Sequence, residues 1–425
     1  MDYSEVEDYI FARRRMGMKF GLDRVKKLMA DADNPQRFFR TVHIVGTNGK
    51  GSTTAFLAVI LQEMGLSVGR MTSPHLLHYR ERASVNGRWI PEAAVVEYVE
   101  LFRESIEECR ATFFEITTVM SAWYFRKAGV DVVAAEAGLG GRLDATRLLE
   151  GELTVFTGVE IEHRRILGST EQAIAAEKVA IAREGSTLVA YDQKPEVEEV
   201  IRDAVRKRRL QRIVPEPSGS APLTGEHQKM NAGLAIRAAL LFTGSDKSVV
   251  NAAFRRASAS FRWAGRIDLR RGEPDILFDV AHNPGSMANL VRHLEKGWTL
   301  PVPAVIGFLE DKLWRDMILQ LKGVLDPVIT TTPVNERCLP AGILAQEFRK
   351  AGFDAVPEDD IGRALELGRK KAHGLLVVTG SFFVTGDAML HGWRKGWIEM
   401  PEAGEEPEQL FPAPGGVDTP ERTGL

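Results

Sequence analysis

Short runs of consecutive apolar residues, alternating with longer stretches of helical period, constrain this chain more than any other feature. Val42–Val45, Val130–Ala135, Leu153–Thr157 and Thr187–Tyr191 occupy the first part, and Asp275–Phe278, Ala304–Phe308, Val328–Thr331 and Leu375–Val378 the second. Most are continuously apolar instead of alternating, which is how strands covered on both faces of a parallel sheet read. Strand–helix alternation over most of the chain predicts an α/β architecture. A chain of 425 residues exceeds one ordinary core, so two domains are expected. An Ala-rich helix, Met230–Phe242, is followed by a break near Ser258–Gly265, and then a fresh α/β series begins. The expected division is residues 1–262 with a mostly parallel sheet, residues 263–400 as a smaller α/β domain, and residues 401–425 as a tail. That tail is rich in Pro, Gly and Glu and lacks the apolar area to offset its chain entropy, so disorder is expected there.

Net charge is -3, so no global positive field gathers nucleic acid. The N-terminus MDYSEVEDYIFARRR is acidic where a signal peptide is basic, and no apolar run is long enough to span a bilayer. Two cysteines, Cys109 and Cys338, form no CxxC pair and no disulfide framework. A cytoplasmic monomer without membrane or nucleic-acid partners is the expectation.

The strongest local signal is TVHIVGTNGKGSTT, Thr41–Thr54. A strand runs into Gly46-Thr47-Asn48-Gly49-Lys50-Gly51-Ser52, and a helix, Thr54–Met64, follows, with Gly65 closing it. Glycines let successive N–H groups turn toward one point, the helix N-terminus adds partial positive charge, and Lys50 adds a full one. Ser52, Thr53 and Thr54 are expected to cap the helix. The strict Walker A spacing is absent: Ile44 stands at the first Gly position and Gly51 separates Lys50 from Ser52. An ordinary glycine-rich turn is the alternative, and the lysine after a buried strand favours phosphate.

Three further segments carry oxygen or nitrogen donors: Thr72-Ser73-Pro74-His75, Glu136-Ala137-Gly138-Leu139-Gly140-Gly141-Arg142-Leu143-Asp144, and Glu162-His163. Carboxyl ends of parallel strands share one crevice, and Glu136 closes a strand. Taken singly, Ser73 can start a turn, Glu136 can face solvent and His163 can be a satisfied polar side chain. Thr170–Arg183 reads as a helix, on which Lys178 shares an apolar face with Ile174 and Ile181. An unpaired ammonium on such a face is costly, and a lysine there often snorkels. Gln228 and Asn231, three apart at a helix start, face one side, toward a nucleotide or as capping groups.

In combination these blocks resemble the folylpolyglutamate synthase/dihydrofolate synthase family of the Mur-ligase type. The resemblance rests on GTNGKGS, on the Ser73, Glu136 and His163 segments, on Gly225-Glu226-His227-Gln228 with Asn231-Ala232-Gly233-Leu234-Ala235, and on Arg262-Trp263-Ala264-Gly265-Arg266. It continues through Asp279-Val280-Ala281-His282-Asn283-Pro284, Asp311-Lys312 and Thr379-Gly380-Ser381-Phe382. It runs from about Phe20-Gly21-Leu22-Asp23-Arg24 to about Thr385. It implies a P-loop ATPase-type domain followed by a Rossmann-like one, and an ATP-dependent ligase that adds L-glutamate to dihydropteroate or a reduced folate through an acyl phosphate. It further implies that Thr47, Asn48, Gly49, Lys50, Gly51, Ser52, Gln228, Asn231, Arg266, Asp279 and Ser381 hold nucleotide or glutamate, and that Lys50, Lys178 and His282 act in the chemistry. Ser73, Glu136 and His163 would hold Mg²⁺, with a carbamate on Lys178 helping to hold a second ion. Arg147, Glu162, Arg164 and Arg165 depart from the family's usual residues, and Ala264 and Val280 replace a proline and a glycine. A Mur-type ligase with another carboxylate acceptor, or a nucleotide-binding homologue without turnover, therefore stays open.

Overall fold

The computed structural model describes residues 1–17, 21–333, 335 and 337–399; the tail read as disordered and Phe20 lie outside them. The chain divides into two compact units, Met1–Pro222 with Glu226–Phe261, and a second from Arg262 with Leu223–Gly225. Among the described residues, the first unit holds β1 (Arg40–Val45), β2 (Val68–Met71), β3 (Ala83–Val85), β4 (Arg88–Trp89), β5 (Val132–Glu136), β6 (Leu153–Phe156), β7 (Thr187–Ala190) and β8 (Gln211–Ile213). They form one sheet in the order β4-β3-β2-β5-β1-β6-β7-β8. β2, β5, β1, β6, β7 and β8 run parallel, and only the β2–β3–β4 edge is antiparallel.

Burial explains the apolar runs. Every residue of β5 and β6 is buried, as is β1 after Arg40, because helices cover both faces. Sequence reasoning overlooked the β3–β4 hairpin. Its signal was present as Asn86-Gly87, whose φ values of 49° and 82° suit a two-residue turn between Val85 and its partner Arg88. From β1 the chain passes to β2 on one side, and from β6 to β7 on the other, so connections diverge between two adjacent strands. Such a switch point opens a crevice at the carboxyl ends.

Two helix expectations need correction. The loop helix begins earlier than expected and spans Lys50–Glu63, with Gly49 at its N-cap, so Ser52, Thr53 and Thr54 lie inside the first turns and cap nothing. The helix expected over Thr170–Arg183 spans Glu171–Val179, with the Thr170 side chain accepting from Ala173 N–H. It stops because Ile181 and Ala182 turn back to the Lys178 and Val179 carbonyls three residues earlier, which tightens the last turn and ends the α ladder.

His43, in the middle of β1, is 1% exposed, and its Nε2 lies 2.8 Å from the Thr146 carbonyl while Nδ1 has no partner. Burial lowers its pKa from 6.5 to about 4. The unfolded chain therefore takes up this proton between those two values while the folded chain refuses it. Stability is intact above about pH 6.5 and falls as pH drops toward 4, by about 3 kcal/mol in all. In urea titrations at pH 7 and pH 4.5, His43→Gln is expected to show a shallower loss of midpoint than the wild type. Equal slopes would contradict this account.

The second unit, among its described residues, holds β9 (Asp268–Arg270), β10 (Asp275–Phe278), β11 (Val302–Ile306), β12 (Leu325–Thr330), β13 (Ala355–Pro357) and β14 (Leu375–Thr379) in the order β13-β12-β11-β14-β10-β9. Only β9 is antiparallel. Its core packs Leu277, Ile306, Phe308, Leu344, Phe348 and Val377 between sheet and helices.

Candidate active site

Strand register gathers the first group of side chains. Ile44 pairs with Glu136, Val45 with Phe156, and Met71 with Ala135. The residues that follow β1, β2 and β6, together with Glu136 at the end of β5, therefore share one edge of the sheet. Glycines let the loop after β1 pack closely there. A Cβ on Gly46 would meet Thr157 Oγ1 at 2.0 Å, and one on Gly49, at φ 85°, would meet Asn231 Oδ1 at 2.4 Å. Thr47 N–H donates to the Gly158 carbonyl at 2.9 Å, and Thr157 Oγ1 donates to the Asn48 carbonyl at 2.6 Å. Lys50 Nζ folds back onto the Thr47 carbonyl at 3.0 Å and stands 4.0 Å from Glu136 Oε1. Gly51 and Ser52 are buried in the first turn of the helix, and the Thr53 and Thr54 hydroxyls are buried without a hydrogen-bond partner.

Glu136 is 5% exposed, and its Oε2 accepts the Ser73 N–H at 3.0 Å. Lys50, Glu136 and Ser73 thus stand together. His163 occupies the turn after β6 at φ 50°, with its ring 31% exposed and 3.6 Å from Glu162. Arg164 and Arg165 are exposed at the start of a four-residue helix. Arg147 faces elsewhere, its Nη1 donating to the Arg142 carbonyl at 2.8 Å. Among the described residues no three His, Cys, Asp or Glu side chains cluster as an ion cage. One buried carboxylate at the end of a strand, with the Ser73 backbone against it, is instead a donor set that a divalent cation can share with phosphate oxygens and water.

Lys178 is 5% exposed, and its ammonium donates to the Gly46 carbonyl at 2.7 Å. Ile174 and Ile181 are also buried, but Ile181 lies past the helix end, so the shared helical face proposed from sequence is only half of the reason. Burial, with a smaller push from Lys50, lowers the Lys178 pKa to about 7. Gly141 does not leave room for a ligand, because a Cβ there would meet the Lys178 carbonyl at 2.3 Å. The glycine run seats the turn on this helix. In the same turn Asp144, 4% exposed, accepts from the Leu139 and Thr146 amides, and burial pushes its carboxyl pKa up. Sequence reasoning passed over Asp144 and Thr157 as positioning groups; Asp-Ala-Thr is a capping signal for the first, and nothing local marks the second.

Gln228 and Asn231 lie in the first turns of the helix Glu226–Thr243, both buried, with Asn231 Nδ2 donating to Gln228 Oε1 at 2.9 Å. Asn231 backs directly onto Gly49. On the β2–β3 side of the sheet, Arg82 Nε donates to His75 Nδ1 at 2.8 Å, and the Arg14 guanidinium lies 4.2 Å and 4.4 Å from the Phe11 and Phe113 ring centroids. Burial lowers Arg82 to about 10, which leaves it charged at neutral pH. This group presents aromatic faces and cations together.

In the second unit the register pairs Phe278 with Val378 and Ile306 with Thr379, so Asp279 and Gly380-Ser381 follow adjacent strand ends. Asp279 is 8% exposed, and its two oxygens accept the Ile267 and Ala281 amides, each at 2.9 Å. Burial raises its carboxyl pKa, and Arg266 chiefly opposes the rise. Its carboxylate therefore braces the backbone on either side of Arg266 and His282. His282 Nδ1 lies 2.8 Å from the Val280 carbonyl, and Ser381 caps the helix Phe382–Arg394, its Oγ accepting from Val384 N–H at 3.2 Å.

Comparison with known proteins extends this geometry. Residues 265–382 match the model of the Mur ligase, glutamate ligase domain. The dihydrofolate synthase/folylpolyglutamate synthase of Bacillus subtilis is 31% identical over 91% of this chain and 98% of its own. The probable bifunctional folylpolyglutamate synthase/dihydropteroate synthase of Halobacterium salinarum is 30% identical over 98% of this chain, which spans 55% of that longer protein. Folylpolyglutamate synthase of Mycobacterium tuberculosis, solved with ADP, superposes with a TM-score of 0.83 at 26% identity, covering 94% of this chain and 99% of its own. The Yersinia pestis folylpolyglutamate synthase/dihydrofolate synthase, solved with AMPPNP and a Mn ion, gives a TM-score of 0.80 at 26% identity, covering 92% and 98%.

Proposed function

This chain belongs to the folylpolyglutamate synthase/dihydrofolate synthase family of Mur-type ligases, and from that premise we propose that it joins L-glutamate to a pteroate- or folate-type carboxylate at the expense of ATP. The observation that carries the reading is the meeting of the glycine loop, Lys50, Glu136 and Lys178 at one sheet edge. Such an edge suits a polyphosphate.

Nucleotide and a divalent metal are the cofactors, as the ADP-bound and the AMPPNP- and Mn-bound relatives support. The finer assignment is MgATP. Loop amides at Asn48, Gly49, Gly51 and Ser52 would cradle phosphates, Thr47 would shape the loop through its bond to Gly158, and Lys50 would swing from the Thr47 carbonyl to the charge of the transferring group. Glu136, Ser73 and His163 would hold the cation, which when bound offsets charge on the phosphate oxygens. Asn231 backs the loop, and Gln228 and Asn231 would meet the nucleoside.

The chemistry runs in two transfers. The acceptor carboxylate attacks the γ-phosphorus, and ADP leaves. The glutamate amine then attacks the acyl carbon, phosphate leaves, and the amine loses a proton. Positioning supplies most of the rate. The cation-and-aromatic group of Arg14, Arg82, Phe11 and Phe113 suits a flat aromatic acid as acceptor. Arg266, Asp279, His282 and Ser381 would serve the phosphate and glutamate side. A carbamate on Lys178 is part of the proposal, supported by its burial and lowered pKa. So is a reducing cytoplasmic setting, which the free thiols of Cys109 and Cys338 support.

The test is product analysis by mass spectrometry with ATP, Mg²⁺, L-glutamate and either dihydropteroate or a reduced folate. ADP and a product heavier by one glutamyl residue are expected only when all are present. Nucleotide binding without glutamate-dependent turnover would instead establish a non-catalytic homologue.

A further inference from the structure

Phe382 is the first residue of the helix Phe382–Arg394, half-buried beside the Ser381 cap. Its ring is shared by two side chains that arrive from distant points of the sequence. The Arg266 guanidinium carbon lies 5.0 Å from the ring centroid, and the His282 ring centroid lies 5.7 Å away at an interplanar angle of 52°. The backbone around both is braced from one point. Asp279 accepts the amide of Ile267, next to Arg266, and that of Ala281, next to His282. Thr385, one turn beyond Phe382, donates its hydroxyl to the Asp279 carbonyl at 3.0 Å. Ile267 is held at φ 50°, a region that β-branched residues rarely adopt. Such a conformation persists only where its surroundings over-determine it.

We infer that Phe382 is a positioning residue of the ligase reaction, an aromatic deck that holds the Arg266 guanidinium and the His282 imidazole at a fixed separation. The inference rests on the proposed ligase activity and adds to it a residue that makes no polar contact with substrate. A ring face attracts a guanidinium through its quadrupole, and a ring edge suits a second ring. Leucine or methionine fills the same space without a π face, whereas tyrosine keeps the face.

The experiment measures glutamate-dependent ADP release for the wild type, Phe382→Leu, Phe382→Met, Phe382→Tyr, Arg266→Lys and the Phe382→Leu/Arg266→Lys double variant, with thermal unfolding alongside. Leu and Met are expected to lower kcat/KM roughly tenfold at unchanged unfolding temperature, and Tyr to stay within about twofold. In the Arg266→Lys background the Phe382→Leu change is expected to cost clearly less than in the wild type, because the part of its effect that passes through the guanidinium is already lost while the part through His282 remains. Leu and Met variants as active as the wild type would overturn the inference, as would effects that multiply in the double variant. If one of the two apolar variants does not fold, the other still decides. A wild type without glutamate-dependent turnover would fail the ligase reading itself, which is a separate outcome.

Discussion

Lys50→Met lowers glutamate-dependent ADP release roughly a thousandfold while leaving the fold intact, the size of effect that loss of a charge on a transferring phosphoryl group produces. The fold survives because the ammonium contributes little to packing. It makes one hydrogen bond, to Thr47, and stands 4.0 Å from Glu136. Methionine keeps the length and the apolar stem. The loop is held by other contacts, from Thr47 to Gly158 and from Asn48 to Thr157. The loss should therefore lie in kcat, with the nucleotide dissociation constant weakened far less. Equal losses in nucleotide affinity and in kcat/KM would assign Lys50 to ground-state binding instead. An active Lys50→Met enzyme would remove the phosphate loop from the mechanism.

Lys178→Ala is the second large effect, again of the order of a thousandfold, with partial recovery in added acetate or propionate. The reasoning starts from burial. A lysine 5% exposed with a pKa near 7 is substantially neutral at physiological pH, and its lone pair can bond the carbon of CO2 as one N–H proton leaves to solvent. The product is a carboxylate in the place of an ammonium, beside the loop. Alanine leaves a space that a small carboxylate can fill. Since only the neutral amine reacts, recovery of activity in protein depleted of CO2 should speed up as pH rises through about 7. Native mass spectrometry should show one added CO2 in the wild type and none in Lys178→Ala. A fully active Lys178→Ala enzyme, or a wild type that never carries CO2, would sink the carbamate.

Several contacts explain why parts of this site were legible early and others were not. Val42–Val45 and Leu375–Val378 read correctly as buried strands because continuous apolar side chains have one stable use in a parallel sheet. Gly49 read correctly as a loop glycine because its left-handed φ is a local property. Lys178 was recognisable as a buried lysine, but its partner, the carbonyl of Gly46, lies 132 residues away. The pairing of Thr157 with Asn48 spans 109 residues and has no sequence signature at either end. Phe382 entered the sequence reading only as the last residue of Thr379-Gly380-Ser381-Phe382, with no role of its own.

Taken alone, the sequence determined which continuously apolar segments become buried strands, where the chain turns at glycine, and that Glu136 closes a strand. These follow from side-chain period, φ preference and burial, all of which act over a few residues. Only the tertiary structure decided the strand order β2-β5-β1-β6 and the register that sets Ser73, Glu136 and the glycine loop on one rim. It also decided that Asp279 braces Arg266 and His282 around one ring. Those choices depend on which apolar faces cover one another, and that free energy belongs to the packed chain as a whole.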